Sequence, residues 1–362
     1  MPEAKKELEE IGEKVLKDLE NGENPYLDIP IRSLSNVEYD EKTGMLRLKE
    51  EKPGKRFLFH TGHAKKFMQT MLVSAFCKEL LDQGLHTSLR DLYYALKTTL
   101  PNSSENTFNE QGESDPIVID LEVALKILRE QLHLSADVRG RVVGNLTIRD
   151  RGDSINLARM GSGGWAVPSN VEDIEFRNVD ADFILVVEKN AAFERLNEDK
   201  FWQDPDHKCI IVTTQGQAAR GARRLIQRLA TEKNLPVHVF TDADPYGWYI
   251  YFVIKYGSIS LAHVSDRLGT PNAKFLGLSV SDIEKFNLQK YTIKAEDVDI
   301  KRAQEMLNYE WIKKRPAWQD ELNLMIKKKI KAELEALSGR GLKYMTQEYL
   351  PKKLEEKEHL LD

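Results

Sequence analysis

The chain has 362 residues, 41% of them hydrophobic and 31% charged, enough for two domains with separate cores. Its formal net charge of -5 resides in residues 1–50, which hold 8 Lys and Arg against 13 Asp and Glu; the rest carries 45 of each sign, so composition neither indicates nor excludes a nucleic-acid partner. No run approaches the ~18–20 apolar residues of a membrane span, Met1-Pro2-Glu3-Ala4-Lys5-Lys6 lacks a signal-peptide core, and the two cysteines, Cys77 and Cys209, read as buried free thiols of a reducing cytoplasm rather than a zinc site.

Leu8, Ile11, Val15 and Leu19 recur at helical spacing and predict an amphipathic helix ending near Asn21-Gly22. Its apolar stripe suits its own domain or a partner, and its acidity speaks against DNA. Residues 1–63 are therefore read as a partner-contacting arm. They include a hairpin from Val37-Glu38-Tyr39 to Met45-Leu46-Arg47 that turns between Asp40 and Gly44. Residues 64–83 read as a helix closed by Gly84. Thr87 or Ser88 then caps a short helix to about Lys97, with Ser88 and Asp91 at capping-box spacing. Asp115-Pro116 is expected to open a third helix from Ile117 to Gln131. Segments 141–148 and 154–157 are expected to form a β-ribbon around Asp150-Arg151-Gly152-Asp153. Helices followed by a ribbon are the order of a winged helix, assigned to residues 64–165. Gly161-Ser162-Gly163-Gly164 and Pro168 suggest a mobile loop and a domain boundary.

The pattern then changes. Phe183-Ile184-Leu185-Val186-Val187, Cys209-Ile210-Ile211-Val212 and Val237-His238-Val239-Phe240 are short apolar runs, each followed by a helical segment. That alternation implies a parallel sheet covered on both faces, within an α/β domain over residues 175–362. The last sixty residues read as helical, with Trp311 and Trp318 as packing anchors. Lys327-Lys328-Lys329 reads as a solvated face.

Two groups carry chemistry. In Ser88-Leu89-Arg90-Asp91-Leu92-Tyr93-Tyr94, the residues Leu89, Leu92, Tyr93 and Leu96 form a core stripe. Tyr94 lies about 100° around the helix, with Arg90 and Lys97 at i-4 and i+3. Neighbouring cations favour a phenolate and hold a phosphate near it. The plain alternative is a surface aromatic. Glu188 follows one apolar strand directly, and Asp242 follows another after Thr241. In a parallel sheet those strand ends share an edge, where such folds place ligands. Asp244 adds a third carboxylate. Clustered acids repel, so a hard cation such as Mg²⁺ is expected among them. The alternative is that these acids cap the following helices.

Together Arg90-Asp91-Leu92-Tyr93-Tyr94, Glu188 and Asp242-Ala243-Asp244 resemble the A subunits of archaeal DNA topoisomerase VI. These are type IIB enzymes related to the meiotic double-strand-break transesterase. The resemblance covers about residues 65–355, including Tyr349-Leu350-Pro351-Lys352-Lys353. It implies a winged-helix-like domain carrying the nucleophile Tyr94, assisted by Arg90, followed by an α/β Toprim domain with a helical C-terminal region. Glu188, Asp242 and Asp244 would hold Mg²⁺. Gly216 to Arg223 resembles the family's glycine-to-arginine loop, with Ala218 where proline is usual. Lys97, Arg139, Arg141 and Arg223 are the candidate DNA contacts. The implied reaction is reversible cleavage of double-stranded DNA through 5′-phosphotyrosyl links, by a homodimer whose Tyr94 meets the partner's metal site. This chain shows no Walker A pattern. ATP use would fall to a separate B subunit, in an A2B2 heterotetramer. The rival readings are a Toprim-type nuclease or primase, which needs no tyrosine, and a non-catalytic winged-helix DNA-binding protein, which leaves the carboxylates unexplained.

Overall fold

The computed structural model describes residues 2–49, 53–356 and 361; residues 1, 50–52, 357–360 and 362, which belong to the expected arm and the expected second domain, lie outside the described residues. Two units emerge, Met1–Val37 with Leu48–Asp137, and Glu38–Arg47 with Val138–Asp362.

The first unit contains helices α1 (Pro2–Glu20), α2 (Thr61–Gln83), α3 (Leu89–Leu96) and α4 (Gln111–Leu125), beside an antiparallel pair, Tyr26–Pro30 with Pro53–Phe57. Gly84 closes α2 in the left-handed conformation, φ 66°. The stripe of α1 is used within its own unit. Ala4 and Leu8 enter a core with Val73, Cys77, Leu80, Leu92 and Leu121, and Val15 packs with Leu27, Ile29 and Phe67. Leu19 is 41% exposed. Most of this apolar face is thus covered within its own unit. Deleting residues 2–22 is accordingly expected to remove about 3–6 kcal/mol of burial from Leu8 and Val15. Thermal melts of the truncated chain should show a marked fall; an unchanged melting temperature would contradict the packing argument.

Helix α4 starts at Gln111, six residues before the expectation. Pro116 sits in its second turn, where only the bond to the Gly112 carbonyl is forgone. The helix ends at Leu125 because Lys126 turns left-handed, φ 55°.

The hairpin Val37–Asp40 with Met45–Leu48, most of which groups with the second unit, forms as expected, Gly44 turning at φ 69°. In the second unit the ribbon pairs Leu146–Asp150 with Asp153–Asn156. Its two-residue turn has Arg151 at φ 48° and Gly152 at φ 100°, the geometry that matches strand twist. Glu175–Val179 joins as a third strand. Residues 141–148 are not one strand, however. The chain breaks at Gly144, where a Cβ would lie 2.8 Å from the Cys209 carbonyl oxygen, and 141–144 leaves for another sheet. By contact the ribbon groups with the residues after it, and the division falls at Asp137/Val138 rather than near Gly161–Pro168.

That other sheet has six strands: β1 (Arg141–Gly144), β2 (Trp165–Ala166), β3 (Phe183–Val187), β4 (Cys209–Thr213), β5 (Val237–Phe240) and β6 (Lys274–Gly277), in the order β2-β1-β4-β3-β5-β6. β4, β3, β5 and β6 are parallel, β1 runs antiparallel to β4, and the edge strand β2 runs antiparallel to β1. The three apolar runs are the buried central strands. Helices α5 (Asn190–Glu198), α6 (Arg220–Glu232) and α7 (Pro245–Tyr256) follow them, and α8 (Pro316–Lys328) lies in the C-terminal part. Trp318 on α8 is fully buried, its ring 4.7 Å from Phe252, 4.9 Å from Phe275 and 5.8 Å from Trp248. Trp311 is buried as well, so both tryptophans anchor the region. Among the described residues, no helix is long and apolar enough to cross a membrane.

Candidate active site

Eight residues make α3. Ser88 Oγ accepts the Asp91 N–H at 3.0 Å and lies 2.8 Å from Asp91 Oδ2, which fixes the helix start. Tyr93 is 7% exposed, and its hydroxyl donates to the Asn109 carbonyl at 2.9 Å. Tyr94 is 60% exposed, with the exposed Arg90 one turn before it. Lys97 departs from the expectation. Its ammonium bonds the Tyr93 hydroxyl at 2.9 Å and the Asn109 carbonyl at 3.3 Å, because i-4 brings it to Tyr93 rather than Tyr94.

The carboxylates lie in the second unit. β3 and β5 are direct parallel neighbours, with Val187 opposite Phe240. Adjacent strand ends therefore carry Glu188 and Asp242, which meet: the Asp242 N–H donates to Glu188 Oε2 at 3.1 Å. Thr241 aligns the turn by exchanging backbone bonds with Gly277 and Leu278 at 2.8 and 2.6 Å. Gly247 leaves room for the pair. A Cβ there would sit 2.7 Å from the Asp242 carbonyl oxygen and 3.1 Å from Glu188 Oε2. Burial, then the Asp242 charge, pushes the Glu188 carboxyl up to about 7. Burial likewise pushes Asp242 to about 6, against the opposing pull of Lys189.

Asp244 behaves differently. Its Oδ1 accepts the Gly247 N–H at 2.7 Å, so it is the N-cap of α7. The capping alternative thus holds for Asp244 and not for Glu188, because Lys189 stands at the cap of α5. Asp244→Ala is expected to cost about 1 kcal/mol of stability through the lost cap while reducing cleavage less than Asp242→Ala does; paired melts and cleavage assays check this. Among the described residues, no three His, Cys, Asp or Glu side chains converge as a ready-made metal cage. The Glu188–Asp242 pair still fits Mg²⁺. That ion takes one or two carboxylates and fills its octahedron with waters and substrate phosphates, and burial raises the cost of keeping both carboxylates charged without a cation.

Two further candidate DNA contacts are less exposed than expected. Arg223 is 2% exposed, with Nε and Nη2 unpartnered, and burial followed by the Arg220 charge lowers it to about 9. Gly221 packs at the start of α6, where a Cβ would lie 2.3 Å from the Pro168 carbonyl oxygen, and the buried Arg223 side chain presents little surface to a phosphate. Arg141 is half-buried, donates to the Gly163 carbonyl at 3.0 Å, bonds Asn190 and Glu194, and stacks on Phe193. Arg139 is exposed. Sequence reasoning assigned no role to Lys189, Gly247, Glu333 or Glu335, all of which border the carboxylate pair. The glycine of Asp244-Pro245-Tyr246-Gly247 and the lysine directly after Glu188 were the available signals.

Three family descriptions match successive parts of the chain: type IIB DNA topoisomerase over residues 65–134, the all-beta domain in DNA topoisomerase VI alpha subunit over 139–180, and the Toprim domain of the topoisomerase 6 A-subunit/Spo11 group over 183–354. The chain is 45% identical to the A subunit of type 2 DNA topoisomerase 6 from Pyrococcus horikoshii, covering 97% of this chain and 94% of that one. Against the A subunit from Saccharolobus shibatae it is 43% identical, covering 96% and 93%, and against that from Methanocaldococcus jannaschii 36% identical, covering 98% and 95%. With its parallel sheet and its paired strand-end carboxylates, the chain belongs to the family of type 2 DNA topoisomerase 6 A subunits.

Proposed function

We propose that Tyr94 and the Glu188–Asp242 pair carry the chemistry of this chain, the DNA-cleaving subunit of an ATP-dependent type IIB topoisomerase. The observation that supports this most is the meeting of Glu188 with Asp242 at adjacent strand ends, in a chain that also exposes Tyr94. The Tyr94 oxygen attacks a DNA phosphorus and releases its proton to solvent. The bond from phosphorus to the 3′ oxygen breaks, and that oxygen gains a proton as a free 3′-hydroxyl. The tyrosyl ester retains the bond energy, so the reverse attack reseals the strand. Arg90, one turn from Tyr94, faces the charge that builds on the phosphoryl oxygens. Glu188 and Asp242, supported by Asp244, would hold Mg²⁺, which would supply charge stabilisation to the phosphoryl and leaving oxygens.

Cutting both strands takes two tyrosines and hence a symmetric homodimer, with Tyr94 of one protomer serving the carboxylates of the other. A B subunit hydrolyses ATP in an A2B2 assembly in the cytoplasm. The helices of residues 64–134 form the DNA module, with Arg90 exposed on α3; Arg139, exposed in the second unit, is a further cation offered to DNA. The test is to incubate the chain with double-stranded DNA, the ATPase partner and Mg²⁺, then to denature rapidly. A DNA-linked polypeptide is expected, and its absence with intact, bound DNA would remove the transesterase reading.

The carboxyl pKa values set a pH dependence. Glu188 and Asp242 titrate near 7 and 6 when folded, above their ordinary values of 4.5 and 3.8. Between those limits the folded state holds protons that the unfolded state has lost, so their contribution to stability declines as pH rises through that window. Added Mg²⁺ should therefore raise the melting temperature more at pH 8 than at pH 5.5. An equal rise at both would contradict metal binding by this pair.

A further inference from the structure

Lys189 follows Glu188 directly and is 24% exposed. Its ammonium lies 3.0 Å from Asp242 Oδ2, 3.0 Å from Glu333 Oε2 and 2.9 Å from Glu335 Oε2. The other Asp242 oxygen, Oδ1, accepts the Leu334 N–H at 2.8 Å. The segment carrying these groups is pinned to the Asp242–Asp244 turn by a reciprocal backbone pair: Ala243 N to Ala332 O at 2.8 Å, and Ala332 N to Ala243 O at 3.3 Å. Both oxygens of Asp242 are thus engaged by its own chain.

A divalent cation and an ammonium cannot share one carboxylate oxygen at contact distance without strong repulsion in a half-buried site. Glu333 and Glu335 are 51% and 49% exposed and already touch Nζ. The flexible four-carbon stem of a lysine allows Nζ to leave Asp242 while keeping both of them.

We propose that Lys189 is a built-in counter-ion that competes with the divalent cation for Asp242, and that Glu333 and Glu335 are the carboxylates that receive its ammonium when the cation enters. This rests on the reading of Glu188 and Asp242 as the cation's ligands. Lys189 is then a positioning residue. It keeps the acidic turn neutralised and the 332–335 segment docked before DNA and metal arrive, and it lowers the resting affinity for the metal.

The test is calorimetric titration of Mg²⁺ into the full chain, with thermal melts as folding controls. Lys189→Met should bind Mg²⁺ about tenfold or more tightly than wild type. Lys189→Arg, which keeps the charge, should bind no more tightly than wild type. The decisive comparison adds Glu333→Gln with Glu335→Gln. Without those acids the ammonium has no second resting place, so the gain from Lys189→Met should be larger in that background than in the wild-type one. If Lys189→Met does not fold, Lys189→Gln repeats the comparison with a side chain that still bonds the segment. Equal affinity of the methionine variant and wild type, or equal gains in the two backgrounds, would overturn the counter-ion role while leaving the metal site intact. Absence of Mg²⁺ binding by wild type and variants alike would instead remove the metal-site reading, and this inference with it.

Discussion

Tyr94→Phe is expected to lower DNA cleavage by a factor on the order of 10⁴ or more, because it removes the attacking oxygen and nothing else can supply it. The ring is 60% exposed, and the structure gives its hydroxyl no bond to maintain among the described residues. Folding and DNA binding should therefore stay near wild type. Tyr93→Phe provides the contrast. It removes the bonds to the Asn109 carbonyl and Lys97 and should cost about 1 kcal/mol of stability, with substantial cleavage retained. Rapid denaturation on labelled DNA, followed by peptide mapping, reads both effects. DNA attached to Tyr93 would sink the assignment. A nuclease or primase would keep its activity in Tyr94→Phe, so the same experiment separates that rival.

Asp242→Ala is expected to reduce cleavage by a factor on the order of 10²–10³ or more, and excess Mg²⁺ should not restore it. Glu188→Ala should act in the same direction, since the Glu188 carboxylate accepts the Asp242 N–H and lies at the adjacent strand end. Asp242→Asn is the informative companion: it can still accept the Leu334 N–H but lacks the charge. It should melt near wild type and cleave poorly. Cleavage at the wild-type rate in EDTA, or in either Asp242 variant, would exclude these carboxylates as the metal site. A DNA-binding protein without catalysis would show no change in DNA affinity with any of them.

Much of this arrangement was legible because its signals are local. Three apolar runs of four or five residues, each ending at a polar turn, can only be buried strands, and parallel order follows from the helices between them. Ser88 with Asp91 gives the start of α3, and helical periodicity separates Tyr93 from Tyr94. What escaped was set by contacts between distant residues. β1 and β2 extend the sheet through close backbone approach at Gly144 and Gly164, which no periodicity announces. Arg223 looks like a surface cation in the sequence, and only the packed fold shows it 2% exposed. The stripe of α1 is equally apolar whether it covers its own core or a partner. Lys189 was visible beside Glu188, but its significance depends on Glu333 and Glu335, which return to it from the far end of the chain.

That return has a consequence for biosynthesis. Lys189 and Glu335 are separated by 146 positions, and the Leu334 N–H that holds Asp242 is equally late. Domains fold in order as they leave the ribosome, so α3 with its tyrosine is complete while the carboxylate site still lacks its final segment. An unfinished polypeptide halted before residue 330 would carry the nucleophile and both strand-end acids, yet not the segment that docks Asp242. The turn at Asp242 therefore takes its docked form only after residues 332–335 have been synthesised.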